Sequence, residues 1–278
     1  YPAQSAVMLG YNKDILAECG YDLEAEPPQT IDELEEVFEA VKAAGYLPIH
    51  SDESFPITFY YIFAYGWVQG TGTDGIYAHT AENVSYLEDS AFLDVVTKYH
   101  DYYERGFFNP DAATSSDGIN AFLQGECAFY PVGLWDFPTC TEAMGDSFAI
   151  LATPPFQEGG EPGIVGGIGS GLSVASYSEN PDVAVKLIQY ITSKEEMIEY
   201  YKISPGIPMR TDITVEEIGL ADDPLYTEAI GLRSNIVYWA DNVMSAEAAS
   251  TFSQFASQVL VGNMTVEDLA RQMDESQQ

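Results

Sequence analysis

Positive charge is what this chain has least of. Ten Lys and Arg face 44 Asp and Glu in 278 residues, a formal net charge of −34. At most 10 acids can pair with a base, so at least 34 stand solvated without one. A field of that sign repels phosphate, which argues against nucleic acid and anionic membrane surfaces as partners. It suits a neutral or cationic ligand. Cysteine is nearly absent: Cys19, Cys127 and Cys140 are an odd, sparse set and make no disulfide framework. One bridge between Cys127 and Cys140 can be drawn, but buried free thiols are the expected state. No apolar run reaches the ~18 to 20 residues of a spanning helix. A leader peptide is not apparent either, since Tyr1 opens directly into Pro-Ala-Gln-Ser-Ala-Val-Met-Leu-Gly, and the chain reads as trimmed, mature or truncated.

Enzyme signatures are equally thin. Gly70-Thr71-Gly72-Thr73-Asp74-Gly75 spells a dinucleotide fingerprint, but it follows an expected helix and precedes no convincing one. Gly167-Ile168-Gly169-Ser170-Gly171 lacks the spacing of a nucleophile elbow. His50, His79 and His100 are scattered without metal spacing, and no Cys-x-x-Cys occurs, so no metal site and no cofactor is expected. Among 44 acids some pair will approach a glycosidase separation by chance, and acid count alone proves nothing.

What is present is apolar surface. The composition is 46% hydrophobic and 13% aromatic, which excludes wholesale disorder. A chain this long buries roughly three quarters of its unfolded surface and suits two modest domains. Residues 6–12 read as a buried strand, and Asn12-Lys13-Asp14 starts a short helix ending near Gly20. Thr30 and Glu33 form a capping box, behind which Ile31, Leu34, Val37, Phe38 and Val41 recur at helical spacing up to Gly45. Pro48-Ile49-His50 suggests a short strand. An aromatic-rich segment spans Phe55 to Trp67, and its residues from Phe59 on are assigned to the core. A loop of Gly, Thr and Asp is expected after it. A second amphipathic helix covers about Ser90 to Arg105, with Phe92, Leu93, Val96, Tyr99 and Tyr103 as its apolar face.

Residues 118–125 read as a short helix, and 127–133, 148–152 and 172–175 as strands. Asn180 caps a helix with Pro181 at its first position, and Ser193 with Glu196 caps the next. Loops and a short helix are expected from Ser204 to Asn242, then helices over 245–262 and from Thr265 to about Met273. Strands alternating with helices predict an α/β architecture with helix-flanked sheets.

A series of landmarks runs along the chain: Gly10-Tyr11-Asn12-Lys13-Asp14-Ile15-Leu16 and Pro28-Gln29-Thr30-Ile31-Asp32-Glu33-Leu34, then Phe122-Leu123-Gln124-Gly125-Glu126-Cys127-Ala128 followed by Gly133-Leu134-Trp135. Gly166-Gly167, Ser178-Glu179-Asn180-Pro181, Pro205-Gly206-Ile207-Pro208 and the run from Gly262 to Leu269 complete the series. In this order the landmarks resemble the extracellular solute-binding proteins of bacterial ABC sugar importers, the family that includes maltose-binding protein. The resemblance implies a type II periplasmic-binding-protein fold of two hinged lobes. Here it is mainly the C-terminal lobe, without most of the N-terminal one. It places the C-terminal lobe at 1–205 with a crossover strand at 1–8. A return segment of the N-terminal lobe follows at 206–245, and C-terminal helices at 246–278. Hinge crossings are expected near residues 1–8, 204–208 and 242–250.

Sugars offer hydroxyls and apolar C–H faces, so their sites combine flat aromatic platforms with hydrogen-bonding side chains in a cleft. Trp135 follows Gly133 at the end of an expected strand, where ligands dock in open α/β sheets, and Asp136 beside it can accept hydroxyl protons. Tyr238-Trp239-Ala240-Asp241, followed by Asn242, lies where the resemblance places a cleft-lining loop. Ser54, Phe55 and Thr58 match the start of a helix that borders the cleft in the maltose-binding relative. Gly166, Gly167 and Gly169 allow close backbone approach to a ligand. A core role for Trp135, interlobe packing for Trp239 and a plain turn for the glycines stand as the alternatives.

The resemblance implies a binding protein, not an enzyme. A monomer captures a neutral mono- or oligosaccharide outside the cell by hinge closure and delivers it to an ABC transporter permease. It is expected periplasmic or anchored as a lipoprotein. A carbohydrate-active hydrolase, and a surface sensor or adhesin on the same fold, are the competing readings.

Overall fold

The structure is a computed structural model, and it describes residues 4–168, 171–204, 206, 208 and 210–277. Six strands form one mixed sheet: β1 (Gln4–Asn12), β2 (Leu47–Ile49), β3 (Cys127–Gly133), β4 (Phe148–Leu151), β5 (Ile164–Ile168) and β6 (Ile236–Tyr238). Their order is β2-β3-β1-β5-β6, with β4 also on β1. The first strand in sequence is therefore central in space. Its whole length pairs on one side or the other: Val7–Tyr11 with β3, Gln4–Val7 with β5 and Leu9–Asn12 with β4, all antiparallel. The pairs β2–β3 and β5–β6 are parallel. Thus β5 and β4 lie end to end along one edge of β1.

Alternation along β1 explains why it is buried on both faces. Leu9 and Tyr11 enter the main core with Ile31, Leu34, Val37, Phe38 and Val41 of the helix Ile31–Ala43. Ala6 and Met8 point the other way, into a smaller core with Tyr130, Val132, Phe137, Phe148 and Tyr226. The main core is dense in rings. Phe59, Phe63, Tyr99, Tyr102 and Phe252 meet mostly edge-on or tilted, with centroids 4.3–5.5 Å apart, the geometry that aromatic quadrupoles prefer. The C-terminal helices Ala246–Leu260 and Val266–Ser276 close this core from outside, capped by Ser245 and Thr265.

Local signals for helices were accurate where a cap and an apolar stripe coincide. Asn12 accepts from the Asp14 and Ile15 amides at the head of Lys13–Glu18, and Thr30 accepts from Glu33 N–H. Glu33 reaches back to the amide of Gln29 rather than to that of Thr30. Other expectations are corrected. The apolar face of Ser90–Glu104 is Ala91, Phe92, Val95, Val96, Tyr99 and Tyr102, so Leu93 and Tyr103 sit at its margin. Residues 172–175 form no strand; the strand is β5, eight residues earlier, written in glycine because Gly166 packs against β1, where a Cβ would lie 2.6 Å from Ser5 O. The expected loop after Trp67 holds the helix Thr73–Ala81. Asn180 makes no side-chain cap bond. All three cysteines are free thiols.

The glycine-rich stretch from Gly70 starts inside the helix Ala64–Thr71, so it still lacks the strand a dinucleotide turn requires. None of the described helices is long and apolar enough to cross a membrane.

One part stands apart. The helix Lys194–Ile203 has a small cluster of its own, Met197 and Tyr201 with Ile213 and Ile218. The helix Pro181–Ile191 buries no residue at all.

Candidate functional site

The cleft forms where β3 and β6 end beside the start of β1. At the end of β3 the chain turns tightly through Leu134–Asp136, and the Asp136 carboxylate accepts the Gly133 amide at 2.9 Å. The Trp135 indole folds back over that strand end: a Cβ on Gly133 would lie 2.2 Å from the ring. Only glycine leaves room there. The indole stays 48% exposed, which rules out the core reading of Trp135.

Opposite it, β6 runs into Trp239 and the short helix Ala240–Val243. Trp239 is mostly buried against Val7, Tyr65 and Val165, and its ring meets Tyr61 at 5.4 Å between centroids. Asp241, in the first turn of that helix, has its carboxyl pKa raised by burial, as does Asp136. Both carboxylates, after burial itself, push the Tyr61 phenol further up, which places them near its ring.

The third wall comes from the segment before the aromatic helix. Phe55, 48% exposed, lies tilted on Tyr60 at 5.7 Å. Its loop is pinned from below by buried acids. Asp52 accepts from Ser115 Oγ at 2.7 Å, the Gly118 amide at 2.9 Å and the Tyr130 hydroxyl at 3.0 Å. Glu53 accepts from the Ser51 hydroxyl at 2.6 Å, and its complete burial pushes its pKa up to about 8. A carboxyl so placed carries its proton at neutral pH, which avoids an unpaired buried charge. Thus Tyr130 of β3, the helix Gly118–Leu123 and Phe55 are held by one network.

Together these walls bound an open cleft of about 280 Å³ lined by Ser5, Phe55, Tyr60, Tyr61, Trp135, Trp239, Asp241 and Asn242. No lysine, arginine or histidine is among the lining residues. Five aromatic side chains beside one carboxylate, one amide and the hydroxyls of Ser5, Tyr60 and Tyr61 give apolar faces and hydrogen-bonding edges in one small volume.

Of the residues singled out from sequence, Phe55, Trp135, Trp239 and Asp241 line this cleft. Asp136 stands behind Trp135 and holds its turn. Three others lie outside its lining. Thr58 is fully buried, its hydroxyl in hydrogen-bond contact with Ser51 Oγ at 3.0 Å, beneath the cleft rather than in it. Tyr238 is 53% exposed on β6 and lies outside the lining. Ser54 is exposed but also outside it. Gly167 works at one remove: its φ of +147° admits little but glycine, and a Cβ there would press on Tyr238 at 3.0 Å and on Trp239 at 3.5 Å. Gly169 lies outside the described residues.

Sequence reasoning missed Ser5, Tyr60 and Tyr61. The two tyrosines were read as core with the rest of Phe59–Trp67, and for most of that run the reading holds. Tyr61 is the exception, half-buried among fully buried neighbours. Residues Phe59–Phe63 form a π-turn within the helix, whose extra residue per turn shifts the phase of the apolar stripe.

Comparison with known proteins agrees with this architecture. Residues 1–228 match the family model described as bacterial extracellular solute-binding protein. A maltotriose-binding protein of Pyrococcus abyssi (strain GE5 / Orsay) is 24% identical over 233 residues, 81% of this chain and 46% of that protein. The chain thus spans about half the length of the curated relative it matches. Among solved structures, a chitin oligosaccharide binding protein superposes with a TM-score of 0.84 at 20% identity, covering 99% of this chain and 69% of that one. The solute-binding protein RafE in complex with raffinose gives 0.73 at 21% identity, covering 99% and 72%. At such identities the superpositions establish the shared fold.

Proposed function

This chain belongs to the bacterial extracellular solute-binding proteins, and from that premise we propose that it carries the larger part of a saccharide-capturing protein. The observation that carries the reading is the cleft, where Trp135, Trp239, Tyr61 and Phe55 surround Asp241 and Asn242 without a basic side chain. Ring faces cover C–H surfaces of a pyranose while the carboxylate and amide take its hydroxyls. The ligand is a neutral mono- or oligosaccharide. Relatives of this fold that bind raffinose or chitin oligosaccharides support the class, not the individual sugar.

Capture proceeds by hinge closure of a second lobe over the cleft, and the closed form delivers the sugar to an ABC transporter permease. The working protein is a monomer outside the cell, periplasmic or lipoprotein-anchored. The lobe division deserves redrawing. The helices Pro181–Ile191 and Lys194–Ile203 bury nothing in either main core, which supports starting the return segment near residue 171 instead of 206.

Calorimetry with a panel of neutral oligosaccharides tests the reading. One of them should give heat, and Trp135→Ala should weaken it about tenfold to a hundredfold, since a stacked ring contributes on the order of 1.5–3 kcal/mol. Silence from every sugar, with the complementary lobe supplied, overturns it.

The protein performs no covalent chemistry in this proposal. Asp136 and Asp241, both with raised carboxyl pKa near Tyr61, are the pair a glycoside hydrolase would use. Release of nitrophenol from a chromogenic glycoside, lost in Asp136→Asn or Asp241→Asn, would establish the hydrolase instead.

A further inference from the structure

A second cavity lies toward the other end of β1 from the sugar cleft and has no part in the function proposed above. It is a groove of about 870 Å³, and one wall is β4: all four residues, Phe148 to Leu151, line it. Side chains alternate across a strand, so four consecutive residues border one groove only where the strand presents its backbone edge. Among the described strands β4 pairs with β1 alone, and its outer edge is unpaired. Such an edge carries a row of amide donors and carbonyl acceptors without partners.

The facing walls combine two chemistries. Tyr11, Leu23 and Leu225 supply apolar surface. Glu24, Asp146, Asp222, Asp223 and Glu228 supply five carboxylates, against Lys13 as the one base, already paired with Glu24 at 3.2 Å. Asp223 is spent on capping the helix Pro224–Gly231 through the Leu225 and Tyr226 amides. Among the described side chains, no cation lies within ion-pair distance of Glu228. Its carboxyl, though reached by solvent, has a raised pKa, first from desolvation and then from Glu24 across the groove. One lysine cannot neutralise both Glu24 and Glu228, and a further cation would relieve them.

We propose that this groove is a docking site for an extended cationic polypeptide segment, which adds as a strand to the free edge of β4. Backbone bonds to Phe148–Leu151 hold it; apolar side chains on one face meet Leu23 and Leu225, and Lys or Arg on the other meet Glu24 and Glu228. A second copy of this chain is a poor occupant, because edge-to-edge pairing would set the same five carboxylates against each other. Strand addition along β4 spans about 13 Å, four residues at 3.3 Å each.

The test is fluorescence anisotropy with a labelled Lys-Val-Lys-Val-Lys-Val peptide and its Glu-Val counterpart, since a chain of charge −34 attracts cations everywhere. The double variant Glu24→Gln/Glu228→Gln is compared with Glu247→Gln/Glu267→Gln, which removes equal charge from the outer C-terminal helices. Binding should fall about tenfold in the first and less than twofold in the second, and the amides of Phe148–Leu151 should gain protection from hydrogen exchange when the peptide is bound. Equal weakening in both variants, or no protection along β4, overturns the proposal, whatever sugar the other cleft takes.

Discussion

Two amphipathic helices of this chain meet opposite fates. Ser90–Glu104 buries Ala91, Phe92, Val95, Val96, Tyr99 and Tyr102 in the main core, sealed by the C-terminal helices. Pro181–Ile191 carries an apolar stripe as regular, and leaves Val183 63%, Leu187 56% and Tyr190 60% exposed. Periodicity in a sequence therefore reports that a helix has a partner face, and not that the partner is present. The covered helix sits in a self-sufficient lobe. The bare one presents the kind of surface that marks an interaction site.

The comparison is tested most severely by cutting the same chemistry from both places. Phe252 lies against Phe59, Tyr60 and Phe92 and is almost fully buried. Phe252→Ala should cost about 3–5 kcal/mol, the transfer term plus the cavity left behind. Leu187→Ala, on the bare helix, should cost less than about 0.5 kcal/mol. Urea denaturation measures both. A loss of several kcal/mol at Leu187 would mean that the second helix is covered after all.

A smaller difference is written in pH. In the covered region Asp89 accepts from Trp67 Nε1 at 2.8 Å, Thr71 Oγ1 at 2.6 Å and the Phe92 amide at 3.1 Å, with His79 Nε2 at 3.0 Å. Burial works against its charge, but these four donors together hold its pKa down at about 2. A carboxyl depressed in the folded state stabilises fully above its unfolded value near 3.8, and the gain is lost as pH falls through 2. About 2 kcal/mol should disappear over that window. Glu53 has the opposite sign: raised to about 8, its protonated form is the one the fold accepts. Its contribution is complete below about 4.5 and is lost as pH climbs through 8. Chemical denaturation across pH 2–9 should show both slopes, with Asp89→Asn flattening the acid limb and Glu53→Gln the alkaline one. An acid limb that survives Asp89→Asn would assign that slope to other carboxylates.

The same contrast explains what could be read from the residues alone. Ile31–Ala43 was legible to its last buried side chain because a threonine cap, a 3.6-residue stripe and a terminal glycine agree. The strand β5 was not, since strands are read from β-branched runs and this one is Ile-Val-Gly-Gly-Ile, its glycines demanded by the close approach of β1 at Gly166 and of Tyr238 and Trp239 at Gly167, which no local pattern announces. In the cleft, Trp135 and Trp239 stood out because each ends a strand or adjoins an acid. Tyr61 did not: its outward turn depends on one π-turn, and a stripe of rings at helical spacing looks like core. Thr58 failed for the complementary reason, its hydroxyl being needed by a buried network.

The smallest expected effect on stability is the most informative about the bare face. Val183→Lys with Leu187→Lys puts two bases on exposed helical positions of a chain at −34, where charge repulsion is already unfavourable. Lysine also propagates helix better than the valine it replaces. The unfolding free energy should therefore stay within about 0.5 kcal/mol of the parent. Binding of an apolar dye such as ANS should drop, because the stripe it would cover is gone. If the double variant instead loses stability by 2 kcal/mol or more, the stripe is already covered in solution, and the two helices differ in their partners and not in having one.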